Sequence, residues 1–208
     1  MVAVPIPPTT PPMTPAPTPV GSPRKAQILR EAAQLFARHG FHGVSIVELG
    51  AAVGISGPAL YRHFPSKEAL LARMLIGVSE RLLAGGTALA GEITDPGELL
   101  AALVDFQLDF SLREPELITV HDRDLANLPT PDRRQVRALQ RAYVEIWVDA
   151  LCRYSPGLTA EAARIAAHGV FGLLNSTPHS TPKGGSPVAA GLLRRMAMTA
   201  LTDPALVL

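Results

Sequence analysis

Residues 45–70, SIVELGAAVGISGPALYRHFPSKEAL, constrain the fold more than any other stretch of the chain. Ser45, followed three residues later by Glu48, is the pattern of a capping box at the start of a helix. Gly54 is expected to end that helix because glycine adopts left-handed conformations without steric cost. Ser56 can then cap a second helix. Two helices joined by a short glycine-containing turn are typical of a helix-turn-helix unit.

The second helix and its exit carry side chains that can donate hydrogen bonds to DNA phosphate: Tyr61, Arg62, His63 and Lys67. The alternative is the solvated face of an ordinary helical bundle. The charge distribution favours DNA binding over this alternative. Residues 22–75 contain seven Lys and Arg against three Asp and Glu, whereas residues 76–208 contain twelve against fifteen. Only the front of the chain therefore has the positive excess that suits a polyanion.

Three runs between residues 24 and 71 resemble the DNA-binding domain of the TetR family of bacterial transcription regulators: ILREAAQLFARHGFHGVSI, ELGAAVGIS and LYRHFPSKEALL. The resemblance implies a set of DNA-binding residues at and around the second helix. The residues that open this helix would approach base edges, and these are Gly57, Pro58 and Ala59. Ser56, which caps the helix, is a further DNA-binding candidate. Phosphates would be held by Ser45, Tyr61 and Lys67, while two further residues could do either, Arg62 and His63.

The base-facing positions carry little hydrogen-bonding capacity. Gly57 and Pro58 have no side-chain donor and cannot make the bidentate contacts that distinguish guanine from adenine. Base discrimination is then expected from packing on thymine methyl groups, from Arg62 or from DNA shape. Lys67 is expected to supply affinity that does not depend on sequence.

The whole chain predicts an all-α fold of about nine helices, without strand-like alternation. Residues 1–22 hold eight prolines and no charged residue, which favours a disordered tail. Residues 23–69 form the three-helix DNA-binding domain, and residues 70–208 form a ligand-binding and dimerisation domain. Within the latter we expect a helix from 115 to about 128, a helix weakened at Gly85 and Gly86, and a loop over residues 175–186.

The last two long helices, which contain ARIAAHGVFGLL and PVAAGLLRRMAMTAL, are rich in small and apolar residues. A monomer core would explain this composition, but such helices need cover on more than one face. A helix-turn-helix protein also needs two reading heads about 34–36 Å apart. The family resemblance implies dimerisation through these two helices as a four-helix bundle. We therefore expect a homodimer on a palindromic DNA operator.

Two polar clusters interrupt the apolar rear domain, at residues 121–124 and 175–180. His121 with Asp124 or His179 could hold a metal, although hydrogen-bonded structural roles are the commoner outcome. Arg123 could bind a carboxylate or phosphate of a ligand, or belong to a salt-bridged surface turn. The resemblance implies that helices of this region surround an effector, and the run FGLLNSTPHS is similar to segments of family members that sense acyl-CoA thioesters. The candidate ligand residues are Phe106, Phe110, His121, Arg123, Tyr143, Trp147, Phe171, Asn175 and His179.

The sequence contains no enzyme motif, and no cofactor or metal is expected. A single cysteine, Cys152, excludes an intrachain disulfide and fits a cytoplasmic protein. No apolar run reaches the roughly 20 residues needed to cross a bilayer. The expected function is a transcriptional repressor released from its operator by a small apolar effector. The alternatives are a regulator that requires its ligand, an activator, or a helical lipid-binding protein that does not bind DNA.

Overall fold

A computed structural model describes residues 22–180 and 186–206. The predicted Pro-rich tail lies outside the described residues except for Ser22, and so does part of the predicted loop at 175–186. The described residues form ten α-helices and two short 3-10 helices, which confirms the all-α fold. The α-helices are α1 (Pro23–His39), α2 (Ile46–Ala52), α3 (Gly57–Leu60), α4 (Lys67–Glu92), α5 (Pro96–Arg113), α6 (Pro115–Asp124), α7 (Thr130–Tyr154), α8 (Ala160–Leu174), α9 (Thr177–Ser180) and α10 (Pro187–Thr202).

Three boundaries differ from the sequence-based expectations. The sixth helix ends at Asp124 and is followed by a 3-10 turn, Leu125–Asn127, instead of continuing to residue 128. The expected loop after residue 174 contains the single helical turn α9. The linking helix α4 continues through Gly85 and Gly86 to Glu92, and both glycines lie against aromatic rings. The predicted domain boundary at residue 69 falls inside α4 and stays a prediction.

The front helices pack around a core that continues into the rear domain. Phe36, Phe41, Leu49 and Leu60 are each almost fully buried in it. The same cluster includes Leu71 and Leu75 of α4 together with residues of α6. Of the three front helices, α1 packs directly on both α4 and α6, so a movement of either helix displaces α1 as well.

A second core lies between α5, α7, α8 and α10, with Trp147 at 0% exposure. Arg194 of α10 adds a two-point ion pair to Asp105 of α5, at 2.6 and 3.1 Å. No helix in the described part of the chain is long and apolar enough to span a membrane.

Candidate functional site

The helix-turn-helix is built by the local chemistry that the sequence indicates. The Ser45 hydroxyl accepts from the backbone N–H of Glu48, and the Glu48 carboxylate accepts from the backbone N–H of Ser45 at 2.8 Å. Hydrogen bonds from the Ser45 backbone and then from its hydroxyl lower the pKa of Glu48. Gly54 has φ +69°, a left-handed conformation that suits glycine. Ser56 caps α3 through the N–H of Ala59.

The surface around α3 presents most of the predicted DNA-binding residues to solvent. Tyr61 is 50% exposed, Pro58 and Arg62 are exposed, and Ala59 and His63 are half-buried. These five positions can therefore reach a ligand as large as a DNA duplex, and their individual DNA contacts stay predictions.

Gly57 differs from its neighbours because it is buried against α2. A Cβ atom placed on Gly57 would lie 3.4 Å from the Ile46 Cγ2 atom and 3.7 Å from the Val47 Cγ2 atom. Gly57 therefore packs on α2 at ordinary contact distance. Its approach to base edges stays a prediction.

Val47 is a surface residue of α2 that the sequence reasoning missed. Its side chain is 71% exposed beside the start of α3. An apolar residue in a short amphipathic helix is normally assigned to the core, so the sequence alone carried no signal for it. An exposed isopropyl group at this place has the chemistry that packs on a thymine methyl group.

Lys67 is held inside the protein by two backbone acceptors. Its Nζ atom donates to the carbonyls of Phe41 at 2.8 Å and Val44 at 2.9 Å, and lies 4.5 Å from the centre of the Phe41 ring. These contacts tie the first turn of α4 to the α1–α2 turn. Only one of its three N–H groups remains for DNA. A phosphate contact from Lys67 stays a prediction and has to coexist with this structural role.

Arg123 and Asp124 connect α6 to the end of α1 and to the turn that follows it. The Arg123 guanidinium donates to the carbonyls of Phe36 and Ala37, which belong to the last turn of α1. Asp124 is 3% exposed, pairs with Arg123 at 3.1 Å and accepts from the backbone N–H of Phe41 at 3.3 Å. Arg123 thus forms the salt bridge that was the alternative to a ligand contact, and its contact with a ligand stays a prediction.

Three of the predicted ligand residues do form one aromatic cluster. The ring centres of Tyr143 and Trp147 are 6.2 Å apart, those of Trp147 and Phe171 4.8 Å, and those of Tyr143 and Phe171 5.7 Å. Phe106 lies nearby against α4, where a Cβ on Gly85 would lie 2.2 Å from its Cζ atom. Burial raises the pKa of the Tyr143 phenol above its usual range, so this hydroxyl remains a neutral donor.

A buried polar network connects this cluster to Asn175. The Tyr143 hydroxyl donates to the Gln107 side-chain oxygen at 3.2 Å, and the Gln107 amide donates to the Asn175 side-chain oxygen at 2.9 Å. The Ser111 hydroxyl lies 3.1 Å from the same Asn175 oxygen, and the Thr177 hydroxyl donates to the Ser111 carbonyl. Sequence reasoning missed Gln107 and Ser111, although two polar residues four apart on an apolar helix face were a usable signal.

The remaining predicted ligand residues lie elsewhere. Phe110 packs on the front core. His121 contacts the Asp122 carboxylate and the Gln140 amide, and His179 is exposed on α9. Among the described residues no group of three His, Cys, Asp or Glu is placed to hold a metal ion. These positions are not brought together with the aromatic cluster.

The outer faces of α8 and α10 expose large apolar side chains. They are Ile165 at 67%, Val188 at 79%, Leu192 at 48% and Met196 at 46% exposure. Apolar side chains grouped on two adjacent helices in this way are typical of a protein–protein interface.

Comparisons with known proteins match both parts of the chain. Residues 28–74 match the family described as bacterial regulatory proteins, tetR family. Residues 94–202 match the tetracyclin repressor-like C-terminal domain. The transcriptional activator FasR of Mycolicibacterium smegmatis is 28% identical over 151 residues, which cover 72% of this chain and 68% of FasR.

Solved structures agree on the fold. A TetR-family regulator from Bordetella parapertussis has a TM-score of 0.80 and 27% identity, and the match covers 90% of this chain and 98% of that one. AibR, solved with isovaleryl coenzyme A and operator DNA, has a TM-score of 0.72 at 22% identity, with 87% and 99% of the two chains covered. The helix order found here is thus the one these regulators share.

Proposed function

Because the chain belongs to the TetR family of bacterial regulatory proteins, we propose that it is a cytoplasmic repressor that leaves its operator when it binds a small, largely apolar effector. The observation that carries the proposal is the pairing of an exposed helix-turn-helix surface at one end with a buried aromatic and polar cluster at the other. The two are connected by the continuous helix α4.

DNA binding is assigned to the surface of α3 and its exit. Tyr61 and Arg62 are exposed there, and Ser56 orders the helix start. Tyrosine and arginine side chains donate to phosphate oxygens. Val47 and Pro58 add apolar surface that can pack on the methyl groups of bases. Because these side chains cannot form bidentate hydrogen bonds with bases, we expect the sequence preference to depend partly on DNA shape.

Dimerisation is assigned to α8 and α10. A second copy of the chain that presents the same face would bury these exposed apolar side chains in a two-fold symmetric interface. Two reading heads spaced by such an interface can occupy the two halves of a palindromic operator.

The effector is assigned to the aromatic cluster of Tyr143, Trp147 and Phe171, with its polar end near Asn175. An apolar cavity wall with a few convergent polar groups is the usual make-up of a small-molecule site. AibR, a structural relative, is described with isovaleryl coenzyme A. We therefore propose an acyl-CoA thioester as the first class to test, with the acyl chain against the aromatic rings.

Two contacts can transmit ligand binding at this cluster to the DNA-binding helices. Phe106 and Tyr143 lie against Gly85 and Gly86 of α4, so displacement of either ring pushes on the linking helix. At the other end, Lys67 of α4 holds the α1–α2 turn. An effector changes operator affinity only by its differential affinity for the two arrangements, typically about 1–3 kcal/mol.

One comparison favours activation over repression. FasR is described as an activator, so a regulator that activates on binding DNA is the second candidate. A helical lipid-binding protein without DNA binding is the more distant one. Neither candidate requires catalysis, and we propose no enzymatic activity.

The effector proposal is tested by thermal melting with matched ligands. Short and long acyl-CoAs, free fatty acids, sterols and cationic dyes are added to the dimer, and an effector at a hundred times its Kd should add about 2.7 kcal/mol of stability. Stabilisation by an acyl-CoA that also releases the protein from DNA supports the proposal. Stabilisation by cationic dyes alone would exclude the acyl-CoA class.

A further inference from the structure

A groove lies at the junction of the two domains, away from the aromatic cluster. It has a volume of about 650 Å³ and is walled by α1, by the middle of α4 and by the α5–α6 junction. Small-molecule sites commonly have volumes of about 300–1,000 Å³. The groove is therefore large enough for a ligand of ordinary size.

The floor of the groove is apolar. Phe64, Met74, Val78 and Leu117 line it and are each at most 8% exposed. Gly77 of α4 also lines it, and a Cβ atom added there would meet no atom within 4 Å. The glycine thus leaves an open notch in the floor that a side chain would fill.

The rim of the groove is predominantly cationic. Five basic residues line it, against the two carboxylates of Glu114 and Glu116: Lys25, Arg30, Arg73, Arg81 and Arg113. Three of the five are already paired, with Glu80, Glu114 and Asp109.

Two of these cations have no carboxylate partner among residues 22–180 and 186–206. The Lys25 ammonium lies over the Phe64 ring, 6.0 Å from its centre. Arg30 forms no hydrogen bond or ion pair with any residue that the structure describes. An apolar floor below unpaired cations matches a molecule with an apolar body and an anionic head.

We infer that this groove is a second ligand site that takes amphipathic anions, namely compounds with an aliphatic chain and a carboxylate or related acidic head. The chain lies along Met74, Val78 and Leu117, and the head meets Arg30 and Lys25. Because α1 belongs to the DNA-binding helices and α4 to the link, an occupant contacts both and favours one relative arrangement of them.

Two glycine substitutions on the same helix test the site. Gly77→Leu fills the notch, whereas Gly91→Leu adds the same side chain to α4 at a position that also has no atom within 4 Å but lies outside the groove. The probe is laurate, with methyl laurate as its uncharged counterpart, and binding is measured by calorimetry on the full chain.

Laurate should bind the wild type and Gly91→Leu equally and Gly77→Leu about tenfold or more weakly, since the filled notch removes the apolar contact. Arg30→Ala should weaken laurate about threefold, as expected for one exposed ion pair, and leave methyl laurate unchanged. Equal laurate affinity in Gly77→Leu and Gly91→Leu would overturn the inference. So would an Arg30→Ala variant that lowers the salt dependence of DNA binding while laurate affinity stays the same, because the rim would then serve DNA.

The single tryptophan separates this site from the proposed effector pocket. Trp147 lies in the rear core and does not line the groove, so a ligand that contacts it directly changes its fluorescence. A Gly77→Leu effect on laurate affinity with no fluorescence change supports the groove and speaks against laurate in the pocket. A fluorescence change that is the same in the wild type and Gly77→Leu, with no loss of affinity, places laurate in the pocket and contradicts the groove.

Discussion

Asp124 connects α6 to the α1–α2 turn through a buried carboxylate. Its buried carboxylate accepts from the Phe41 N–H and pairs with Arg123, which in turn binds the end of α1. A buried carboxylate is tolerated only when it is paired and hydrogen-bonded. The side chain thus fixes the α1–α2 turn to α6.

Replacing this carboxylate by an amide should weaken the junction. In Asp124→Asn the side-chain oxygen can still accept from Phe41, but the new N–H groups face the Arg123 guanidinium. We expect unfolding free energy to fall by about 1–3 kcal/mol, measured by urea denaturation. The matched control is Asp122→Asn, whose side chain is 68% exposed and which should stay within about 0.5 kcal/mol of the wild type. Equal stability of both variants would contradict the role of Asp124.

We expect Lys67 to contribute to the stability of the fold as well as to DNA binding. Lys67→Met keeps the aliphatic stem but leaves the Phe41 and Val44 carbonyls without their donor. We expect a loss of about 1–3 kcal/mol in unfolding free energy. Arg62→Ala, an exposed cation nearby, should weaken DNA binding without this loss. If Lys67→Met unfolds like the wild type, the ammonium does not brace the turn.

At the scale of elements, α4 depends on two glycines in its interior that are unfavourable for a helix in isolation. Gly85 accommodates the Phe106 ring and Gly86 the Tyr143 ring. Packing therefore stabilises α4 at the point where its helix propensity is lowest. The position of α4 is thus coupled to Phe106 and Tyr143 of the proposed pocket.

A Gly→Ala substitution inside a helix usually stabilises a protein, but at Gly85 we expect it to destabilise this one. Gly85→Ala places Cβ 2.2 Å from the Phe106 Cζ atom, so the ring has to move, and we expect a loss of about 1–3 kcal/mol. Gly91→Ala on the same helix meets no atom within 4 Å and should gain up to about 1 kcal/mol. Thermal melting of the pair checks both signs, and stabilisation by Gly85→Ala would rule out the close contact.

The elements that the sequence predicted well are those set by local chemistry. Ser45 with Glu48, Gly54 and Ser56 act within a few residues of themselves, and their roles are confirmed. The bonds of Arg123 to Phe36 and Ala37 were not predicted because these acceptors lie more than 80 residues away along the chain. The link from Gln107 to Asn175 crosses 68 residues and was missed for the same reason. Such contacts depend on how helices pack, which periodicity does not specify.

At the scale of the whole molecule, function is predicted to require two copies. Ile165 is 67% exposed on α8, so Ile165→Asp would place a charge inside the proposed interface. We expect a monomer by analytical ultracentrifugation, because an unpaired charge in an apolar interface costs several kcal/mol. Val47→Asp, at an equally exposed apolar position in the helix-turn-helix, should stay dimeric. A dimeric Ile165→Asp variant would place the interface elsewhere.

We propose that the exposed surface of α3 reads DNA as one half of a symmetric pair. Selection of binding sites from randomised duplex DNA by the purified protein, followed by titration of the selected site against salt, tests this role. We expect an inverted repeat with half-sites about one helical turn apart, an affinity that falls steeply with salt, and loss of that selection in Arg62→Ala. A pool without sequence enrichment, or binding that salt does not weaken, would show that α3 does not read DNA in this way.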